Sequence, residues 1–242
     1  MPEPLFLAGA ASAIGRRLVP LLRADGWRIV GTTRSPAKAA ELEGMGVAPV
    51  VVDVFDAAAL AAAVARVRPA IVVHQLTDLA GILDPAGREE ALARNARLRE
   101  VGTRNLVAAA VAAGARRLVA QSIAFAYAPG PLPYREDAPL NVAAPGGGSV
   151  SARGVASLEA QVLAAPLEGV VLRYGRLYGP GTGVDAPAGA APVHVDAAAE
   201  AARLAVGKGV PGIYNVAEDD GTVDSGKAKA LLGWRADARS RG

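Results

Sequence analysis

The chain contains no cysteine and only two histidines among its 242 residues. The lack of cysteine excludes disulfide bonds and thiolate metal sites. The two histidines, His74 and His194, lie far apart in the sequence, and aromatic residues make up only 4% of it. No apolar run approaches the roughly 18 residues that a membrane-spanning helix needs. The N-terminal segment carries the acidic Glu3 and leads directly into a predicted strand, so it does not resemble a signal peptide. We therefore expect a cytoplasmic protein.

The charge of the chain is small and evenly spread. The formal net charge is +3, and charged residues make up 20% of the sequence. No run of Lys and Arg with interleaved aromatic residues is present, which argues against nucleic-acid binding. The hydrophobic content of 52% is that of a folded globular protein. A chain of this length is enough for one well-packed domain.

Short apolar segments alternate with Ala- and Leu-rich helical segments. The six predicted strands are PLFLAGA, WRIVGTTR, VAPVVVD, PAIVVHQL, RRLVAQS and GVVLRYG. Near-continuous apolar strands separated by helices indicate a buried parallel sheet that is covered on both faces. With right-handed crossovers, this pattern predicts the α/β class, as a doubly wound parallel sheet (Rossmann) with a small, abbreviated C-terminal substrate cap.

The domain organisation follows from this pattern. We expect a single domain over residues 1–242. The predicted core comprises about 1–128, 169–180 and 193–216, and the predicted cap comprises 129–168, 181–192 and 217–242. Asp56 is expected to cap the third helix, and Pro20 is expected to kink the first. The Pro- and Gly-rich segment 128–149 is too long for a plain connector and is predicted to be a lid or a disordered segment.

The segment LAGAASAIG follows the first strand and opens the first helix. Gly9 and Gly15 bracket a tight turn whose backbone N–H groups can face a pyrophosphate at the helix N-terminus. Ser12 stands where the usual three-glycine pattern has its middle glycine, and its hydroxyl could contact a phosphate. The pattern is not a P-loop, because Arg16 follows Gly15 where a P-loop has Lys and then Ser or Thr.

The end of the second strand indicates which dinucleotide the turn serves. An Asp or Glu about 20 residues after the turn would bind the ribose 2′-hydroxyl of NAD. The chain has TTRSPAK instead, so Thr33, Arg34, Ser35 and Lys38 offer a cationic pocket for a 2′-phosphate. NADP is therefore the predicted cofactor, with NAD possible. Asp53 ends the third strand, where adenine would lie; a helix-capping role is the alternative for it.

Several segments in order resemble one known family. They are LAGAASAIG, TTRSPAKA, VVVDVFD, AIVVHQL, GTRNLVAAAVAAGARRLVAQS, VVLRYGRLYGPG, VHVDAAAEAA and GIYNVAEDD. This order is similar to that of the extended and atypical short-chain dehydrogenase/reductases, the NAD-dependent epimerase/dehydratase family. The resemblance covers residues 5 to about 217 and resumes at AKALLGW, and LRYGRLYGPG is its most specific part. It implies that Tyr174, Gly175 and Arg176 close over the nicotinamide half of the cofactor, and that His194 is structural.

The motif positions and the resemblance together define a predicted cofactor site. Its residues are Gly9, Ala11, Ser12, Ala13, Ile14, Gly15, Thr33, Arg34, Ser35, Asp53, Val54, Gln75, Leu76, Thr77, Gln121, Ser122, Tyr174, Gly175 and Arg176.

The resemblance also implies a Tyr-x-x-x-Lys pair on a helix and a Ser after the fifth strand. The family uses the tyrosine to move a proton while hydride is transferred, with Lys lowering the tyrosine pKa. The chain has no Tyr-x-x-x-Lys, and no lysine lies between positions 38 and 208. Aligning SLEAQVL with the family's segment puts Arg153 at the Tyr position and Ser157 at the Lys position. Ile123 then stands at the usual Ser position, and Ser122 lies one residue early.

Two interpretations of this loss stay open. In the first, the protein transfers hydride to or from a small carbonyl, alcohol or sugar-nucleotide-like substrate at a non-standard site. The candidates for a catalytic group there are Ser122, Tyr127, Tyr178 and Arg153. In the second, the protein is a non-catalytic NADP(H)-binding sensor or scaffold. A sugar-nucleotide epimerase with a differently aligned triad is a third, weaker interpretation.

The substrate side of the sequence is short compared with the family. Either the protein has a reduced cap, or segments are missing near 183–186 and 220–223. The substrate itself is predicted only to be a small molecule. The resemblance also implies a possible homodimer through the long predicted helix 87–113 and the helix that begins near 153. Leu92, Leu98, Leu106 and Val107 could form its seam or could face the sheet.

Overall fold

The computed structural model describes residues 3–79, 82 and 84–239 of the chain. The strands are β1 (Pro4–Ala8), β2 (Arg28–Thr33), β3 (Ala48–Val51), β4 (Ile71–His74), β5 (Arg117–Ile123), β6 (Glu168–Tyr174), β7 (Arg176–Tyr178), β8 (Pro192–His194) and β9 (Gly212–Val216). The helices are α1 (Ala13–Ala24), α2 (Pro36–Gly44), α3 (Ala57–Val67), α4 (Arg88–Arg97), α5 (Thr103–Ala112), α6 (Gly147–Ala164), α7 (Val195–Gly207) and α8 (Gly226–Leu232). A π-helical turn, Leu98–Gly102, joins α4 to α5.

The described strands form one large sheet and one small one. The large sheet has seven strands in the order β3-β2-β1-β4-β5-β6-β9, and each neighbouring pair is parallel. β7 and β8 form the separate two-stranded sheet. The chain leaves β1 toward one side of the large sheet and β4 toward the other, so their following loops diverge. This opens a crevice at the carboxyl edge of the sheet, as in doubly wound folds, and the predicted fold class is confirmed.

Two apolar layers hold the sheet between its helices. On one face, side chains such as Leu5, Ile71 and Leu172 pack with α1 and α7. On the other face, side chains such as Phe6, Val72 and Leu118 pack with α3, α5 and α6. The alternation of side chains along each strand sends successive residues to opposite layers, so inner strands such as β4 and β5 are buried on both faces and have nearly continuous apolar sequences. The edge strand β3 is only partly covered.

All six predicted strands are present, and β9 adds a seventh at the edge next to β6. The predicted cap at Asp56 is confirmed, because its Oδ1 accepts a hydrogen bond from the Ala59 N–H at 2.9 Å. Pro20 lies inside α1 without ending it. None of the described helices is long and apolar enough to cross a bilayer.

The helix that carries SARGVASLEAQVL begins at Gly147, several residues before the predicted start. Leu158 and Val162 of this helix belong to the apolar layer beneath β5 and β6, although the sequence assigned the segment to the cap. The boundary of the cap stays a prediction. The C-terminal segment also reaches the core: Trp234 is buried, and its indole N–H donates to the Ala197 carbonyl at 2.8 Å.

The loop before α6 packs against the C-terminal part of the chain. Tyr127 pairs with Leu140, and Tyr134 pairs with Val223, through isolated β-bridges. Ala138 and Leu140 pack on a small apolar cluster that includes Tyr127 and Val223. The loop is therefore held by its own contacts, and the described part of the crevice has no lining residue between 128 and 149.

The residues proposed for a dimer seam divide into two groups. Leu98 and Leu106 lie in the apolar layer against the sheet, as the alternative interpretation predicted. Val107 is partly buried and packs against the same layer, whereas Leu92 is partly buried and lines the crevice at the carboxyl edge. The homodimer stays a prediction. Both joins at which segments were suspected to be missing form hydrogen-bonded turns, through Gly179 N–H to the Val184 carbonyl at 2.7 Å and Thr222 N–H to Asp220 Oδ1 at 2.9 Å.

His74 at the end of β4 makes the stability of the protein depend on pH. The ring is fully buried, its Nε2 lies 3.0 Å from Thr103 Oγ1, and its Nδ1 accepts from the Leu76 N–H at 3.2 Å. Burial, with Arg99 nearby, lowers the pKa of His74 from 6.5 to about 4. The folded protein therefore keeps the ring neutral at a pH where the unfolded chain binds a proton, and stability is lost as the pH falls from about 6.5 toward 4.

We expect the free energy of unfolding to fall by about 2 kcal/mol between pH 7 and pH 5 because of this residue alone. The change should be absent in His74→Gln. Urea unfolding of both proteins at the two pH values measures it. Equal pH slopes for the wild type and the variant would contradict the assignment of His74.

Candidate functional site

A cavity of about 700 Å³ opens at the carboxyl edge of the large sheet. It extends from the end of β3, past the turn after β1, to the ends of β5 and β6. Sixteen of the predicted cofactor residues line it: Gly9, Ala11, Ser12, Ala13, Ile14, Thr33, Arg34, Asp53, Val54, Gln75, Leu76, Thr77, Gln121, Tyr174, Gly175 and Arg176. The predicted residues Gly15, Ser35 and Ser122 are not among the described lining residues. We call this cavity the cleft.

The turn between β1 and α1 forms a close-fitting floor of the cleft. Gly9 has φ +91, and a Cβ there would lie 2.5 Å from the Gln75 carbonyl oxygen. A Cβ on Gly15 would lie 2.3 Å from the Gly9 carbonyl oxygen. Ser12 Oγ accepts from the Gly15 N–H at 3.0 Å and caps α1. Ser12 therefore shapes the turn, while the helix N-terminus supplies the partial positive charge that favours a phosphate.

The end of β2 supplies positive charge to the cleft. Arg34 and Lys38 both line it, and the Arg34 side chain is 62% exposed. Arg34 Nη2 lies 3.9 Å from Asp78 Oδ2, so its charge is only loosely compensated. Thr33 Oγ1 accepts from the Ser35 N–H at 3.1 Å, which fixes the bend that follows β2. The guanidinium is therefore available to a ligand.

The end of β3 forms an apolar slot beside this charge. Asp53 Oδ1 accepts from the Phe55 N–H at 2.9 Å, so this carboxylate fixes the loop. The Val54 carbonyl accepts from Asn105 Nδ2 at 2.9 Å. Phe55 lines the cleft, and Arg97 stacks 4.7 Å from the centre of its ring. A flat aromatic ring such as adenine fits this combination of apolar wall and rigid loop.

A buried amide lies at the centre of the cleft. Gln75 is fully buried, and its Nε2 donates to the Tyr174 hydroxyl at 3.3 Å. Its Oε1 is buried and has no hydrogen-bond partner among the described residues. Burial raises the pKa of Tyr174, so its hydroxyl stays protonated. A buried acceptor without a partner is costly, and a ligand with an amide or hydroxyl donor would satisfy it. The glycine turn and this acceptor together fit a nicotinamide dinucleotide.

Two of the catalytic candidates lie in a buried network behind the cleft. Ser122 Oγ donates to Glu159 Oε1 at 2.8 Å. Tyr127 donates its hydroxyl proton to Asn215 Oδ1 at 2.5 Å and accepts from Arg173 Nη1 at 2.9 Å. Gln121 and Ile123 line the cleft on either side of Ser122. Because side chains alternate along a strand, Ser122 must face away from the cleft.

The other two candidates also lie away from the cleft. Tyr178 donates to Glu218 Oε1 at 2.7 Å and accepts from Arg239 Nη2 at 3.1 Å. Arg153 donates from Nη1 to Ser149 Oγ at 3.1 Å and lines a second cavity of about 320 Å³. His194 accepts from the Asp196 N–H at 3.2 Å and caps α7, which is the structural role that the resemblance implied. The catalytic roles of the four candidates stay predictions.

The structure places Ser151, and not Arg153, on the cleft side of α6. One turn later on that helix is the fully buried Val155. Ile123 lines the cleft on the β5 side. The described lining therefore has one small hydroxyl from α6, that of Ser151, and the aliphatic Ile123 from β5. The alignment that put Arg153 and Ser157 at the Tyr and Lys positions stays a prediction.

Arg99 is a charged lining residue that the sequence did not indicate. It lies in the π-helical turn between α4 and α5, is 5% exposed, and lines the cleft together with Ser151. π-helical turns occur often at functional sites because they redirect a side chain. The sequence pattern gave no signal, since an Arg in a polar helical segment is usually solvated.

Comparison with known proteins agrees with this geometry. A family of NAD(P)H-binding proteins matches residues 9–183. A relative from a Streptomyces species, described as a 3-diazoavenalumate denitrifying reductase, is 45% identical over 237 residues, which cover 89% of this chain and 76% of the relative.

Solved structures of similar fold are more distant in sequence. The UDP-glucose 4-epimerase of Thermotoga maritima, with UDP-glucose, is 17% identical with a TM-score of 0.76, over 98% of this chain and 94% of that one. The UDP-glucose 4-epimerase of Thermus thermophilus, with NAD, is 21% identical with a TM-score of 0.74, over 98% and 95%. The dTDP-glucose 4,6-dehydratase of Streptomyces venezuelae, with NAD, is 19% identical with a TM-score of 0.74, over 98% and 93%. The fold is thus that of the epimerase/dehydratase group.

Proposed function

Because the chain belongs to the NAD(P)H-binding family, we propose that it is an NADPH-dependent reductase that replaces the diazo group of a small organic acid with hydrogen. The relative that shares 45% of its sequence is described as a denitrifying reductase of a diazo compound. This proposal assigns the same class of reaction to the present chain.

The reaction balances without a proton donor. A nicotinamide cofactor held in the cleft would supply a hydride, which carries two electrons. The carbon atom in its diazonium form accepts that hydride while its carbon–nitrogen bond breaks, and N2 leaves with the bonding electron pair. The charges cancel, since a cation and a hydride give a neutral C–H group and neutral N2.

The observation that carries the proposal is the composition of the cleft beside the nicotinamide end. Reduction of a carbonyl needs a general acid for the developing alkoxide. Ile123 and Ser151 line the cleft, and Val155, one turn after Ser151 on α6, is fully buried. Tyr174 also lines the cleft, but burial raises the pKa of its hydroxyl and makes it a weak proton donor. A chemistry in which N2 is the leaving group uses none of the missing groups.

The side chains of the cleft would serve this chemistry by binding and by excluding water. Ile123, Phe125 and Leu177 form an apolar wall near the ends of β5 and β6. Water competes with hydride for a diazonium carbon, so an apolar wall favours reduction over hydrolysis. Gln75 Oε1 would accept a hydrogen bond from the bound nicotinamide dinucleotide and so orient it.

The decisive experiment follows the hydride. NADPH deuterated at the two C4 positions in turn is incubated with the protein and a diazotised aminocinnamate, and the product is analysed by mass spectrometry and NMR. We expect deuterium from one of the two positions at the carbon that carried the diazo group, with one N2 released per NADPH oxidised. Unlabelled NADPH in D2O should leave that carbon without deuterium.

Two other results would identify the competing functions. Turnover of aldehydes, ketones or sugar nucleotides, lost in Tyr127→Phe or Tyr178→Phe, would establish the rewired dehydrogenase with those residues as acids. Tight NADPH binding without turnover of any diazo or carbonyl compound would establish the sensor or scaffold. Either result would reject the denitrifying reductase.

The cofactor preference rests on Arg34, and it is tested separately. A guanidinium forms charge-assisted hydrogen bonds to a 2′-phosphate worth about 1.5–3 kcal/mol. We therefore expect Arg34→Gln to weaken NADPH binding by about 10- to 100-fold, and NADH binding hardly at all. Fluorescence titration of both cofactors measures this. The control is Arg28→Gln, which removes the same charge from the opposite end of β2. Equal losses for NADPH and NADH in Arg34→Gln would contradict a 2′-phosphate contact.

A further inference from the structure

Three arginines of the described residues are largely buried, and they differ in whether a carboxylate forms an ion pair with them. Arg173 is 3% exposed and pairs with Glu159 at 2.6 Å. Arg117 is 9% exposed and pairs with Glu168 at 2.7 Å. Arg99 is 5% exposed, and no carboxylate of the described residues lies within ion-pair distance of it. Glu159 acts on Arg99 from beyond ion-pair distance, and its charge only partly offsets the effect of burial on the pKa of Arg99. A buried cation without a direct ion pair is unfavourable unless a ligand supplies one.

The hydrogen bonds of Arg99 leave most of its donors available. Nη1 donates to Ser151 Oγ at 3.0 Å, and to the Ser151 carbonyl at 3.5 Å. These are its hydrogen bonds to the described residues, and both use the same nitrogen. A guanidinium has five N–H donors in a planar fork. Burial lowers the pKa of Arg99 to about 10, so the group remains charged at neutral pH.

Arg99 and Ser151 come from different parts of the chain and meet at the wall of the cleft. Arg99 lies on the π-helical turn and Ser151 on α6, and both line the cleft. The contact between them fixes the fork at one corner. This fixed fork matches the geometry of an anionic oxygen pair or a single charged oxygen.

We propose that Arg99, held by Ser151, binds an anionic oxygen of the substrate in the cleft. The inference rests on the proposed function and deepens it, since it restricts the substrates to compounds that carry a carboxylate or a phenolate. The anionic oxygen supplies the direct ion-pair partner that Arg99 lacks. The guanidinium is already buried, so binding adds only the desolvation cost of the anion, and the new ion pair offsets that cost. A neutral analogue of the same shape would leave the buried charge unpaired and would bind weakly.

The test measures binding rather than turnover. The protein is saturated with NADP+, and calorimetry measures the affinity for two matched pairs of probes. Cinnamate against cinnamamide tests the carboxylate. At pH 8.5, 4-nitrophenolate against 4-nitroanisole tests the phenolate. We expect at least one anion to bind about 10- to 100-fold more tightly than its neutral partner.

The variants assign that preference to Arg99. In Arg99→Gln the preference should disappear, and in Arg99→Lys it should persist in part. The matched control is Arg88→Gln, because Arg88 lines the same cleft but is exposed. It should keep the preference, and NADP+ affinity should be unchanged in all three variants. A loss of the same size in Arg88→Gln, no preference in the wild type, or a parallel loss of NADP+ affinity in Arg99→Gln would overturn the inference.

Failure of this inference and failure of the proposed function give different results. If anion binding depends on Arg99 but no deuterium reaches the product from labelled NADPH, the subsite stands and the reductase falls. If labelled hydride is transferred but Arg99→Gln leaves the anion preference unchanged, the reductase stands and the subsite falls.

Discussion

Replacing Gly15 with alanine is expected to open the turn after β1 and to abolish useful binding of NADPH. The new Cβ would lie 2.3 Å from the Gly9 carbonyl oxygen and 2.6 Å from the Ala10 carbonyl oxygen. Backbone atoms of a tight turn cannot rotate away as a side chain can. We expect a loss of about 1–3 kcal/mol or more in stability from the overlap. The backbone N–H groups that we predict to bind a pyrophosphate would also move, and losing two charge-assisted hydrogen bonds weakens binding by about 100-fold or more.

The matched control is Gly44→Ala, at the last residue of α2. Like Gly15 it is helical, but a Cβ there meets nothing within 4 Å. Alanine is favoured over glycine in a helix, so this variant should be neutral or more stable by up to about 1 kcal/mol, with unchanged NADPH affinity. Thermal unfolding and fluorescence titration measure both variants. If Gly15→Ala binds NADPH as the wild type does, the turn is not the phosphate site.

Replacing Arg173 with methionine is expected to produce the largest loss of stability. Arg173 donates to both oxygens of Glu159, from Nε at 2.8 Å and from Nη2 at 2.6 Å. Nη1 also donates to the Tyr127 hydroxyl at 2.9 Å and to the Glu136 carbonyl at 3.1 Å. Removal of the guanidinium leaves a buried carboxylate without its cation. Such a change costs about 3–5 kcal/mol, or about 6–20 °C in Tm for a chain of this size.

A partly exposed arginine provides the control for this prediction. Arg203 contacts two carboxylates, those of Glu200 at 2.6 Å and Asp25 at 3.0 Å. Its side chain is 27% exposed, and exposed ion pairs contribute only about 0–1 kcal/mol. The pKa of both arginines is raised by their carboxylates, so burial alone should separate Arg203→Met from Arg173→Met. Similar Tm values for the two variants would refute the argument.

A double variant tests whether the loss comes from the orphaned charge. Glu159→Met combined with Arg173→Met removes both buried charges. It should recover part of the stability lost in Arg173→Met. The single variant leaves a buried carboxylate without its cation, whereas the double variant fills the site with two apolar side chains and leaves no buried charge. Ser122 would then lose its acceptor, so full recovery is not expected.

The cofactor end of the cleft was predictable from local patterns. The turn between Gly9 and Gly15 requires small residues at fixed spacing, and the cationic end of β2 follows it at a fixed distance along the fold. The turn follows β1 and the cationic segment follows β2, and these two strands are adjacent and parallel. The strand–turn–helix pattern in the sequence therefore already predicts that the two segments lie close together. Asp56 was predictable for the same reason, since a helix cap is decided within four residues.

The substrate end was not predictable in the same way. Ser122 and Gln121 are neighbours in the sequence, yet only Gln121 lines the cleft, because the pleat of β5 sends them to opposite faces. Whether Ser151 or Arg153 faces the cleft depends on the rotation of α6 about its axis. That rotation is set by packing of Leu158 and Val162 on the sheet.

The sequence by itself therefore determined the sheet with its covering helices, the dinucleotide turn and the loss of the usual proton-transfer pair, since each depends on residues close together in the chain. Only the tertiary structure decided that Arg99 lies buried at the wall of the cleft with no carboxylate of the described residues within ion-pair distance, and that the four catalytic candidates are not among the described lining residues. The rotation of a helix about its axis and the burial of a charged side chain depend on contacts between segments that are far apart in the chain. Short stretches of sequence do not show those contacts.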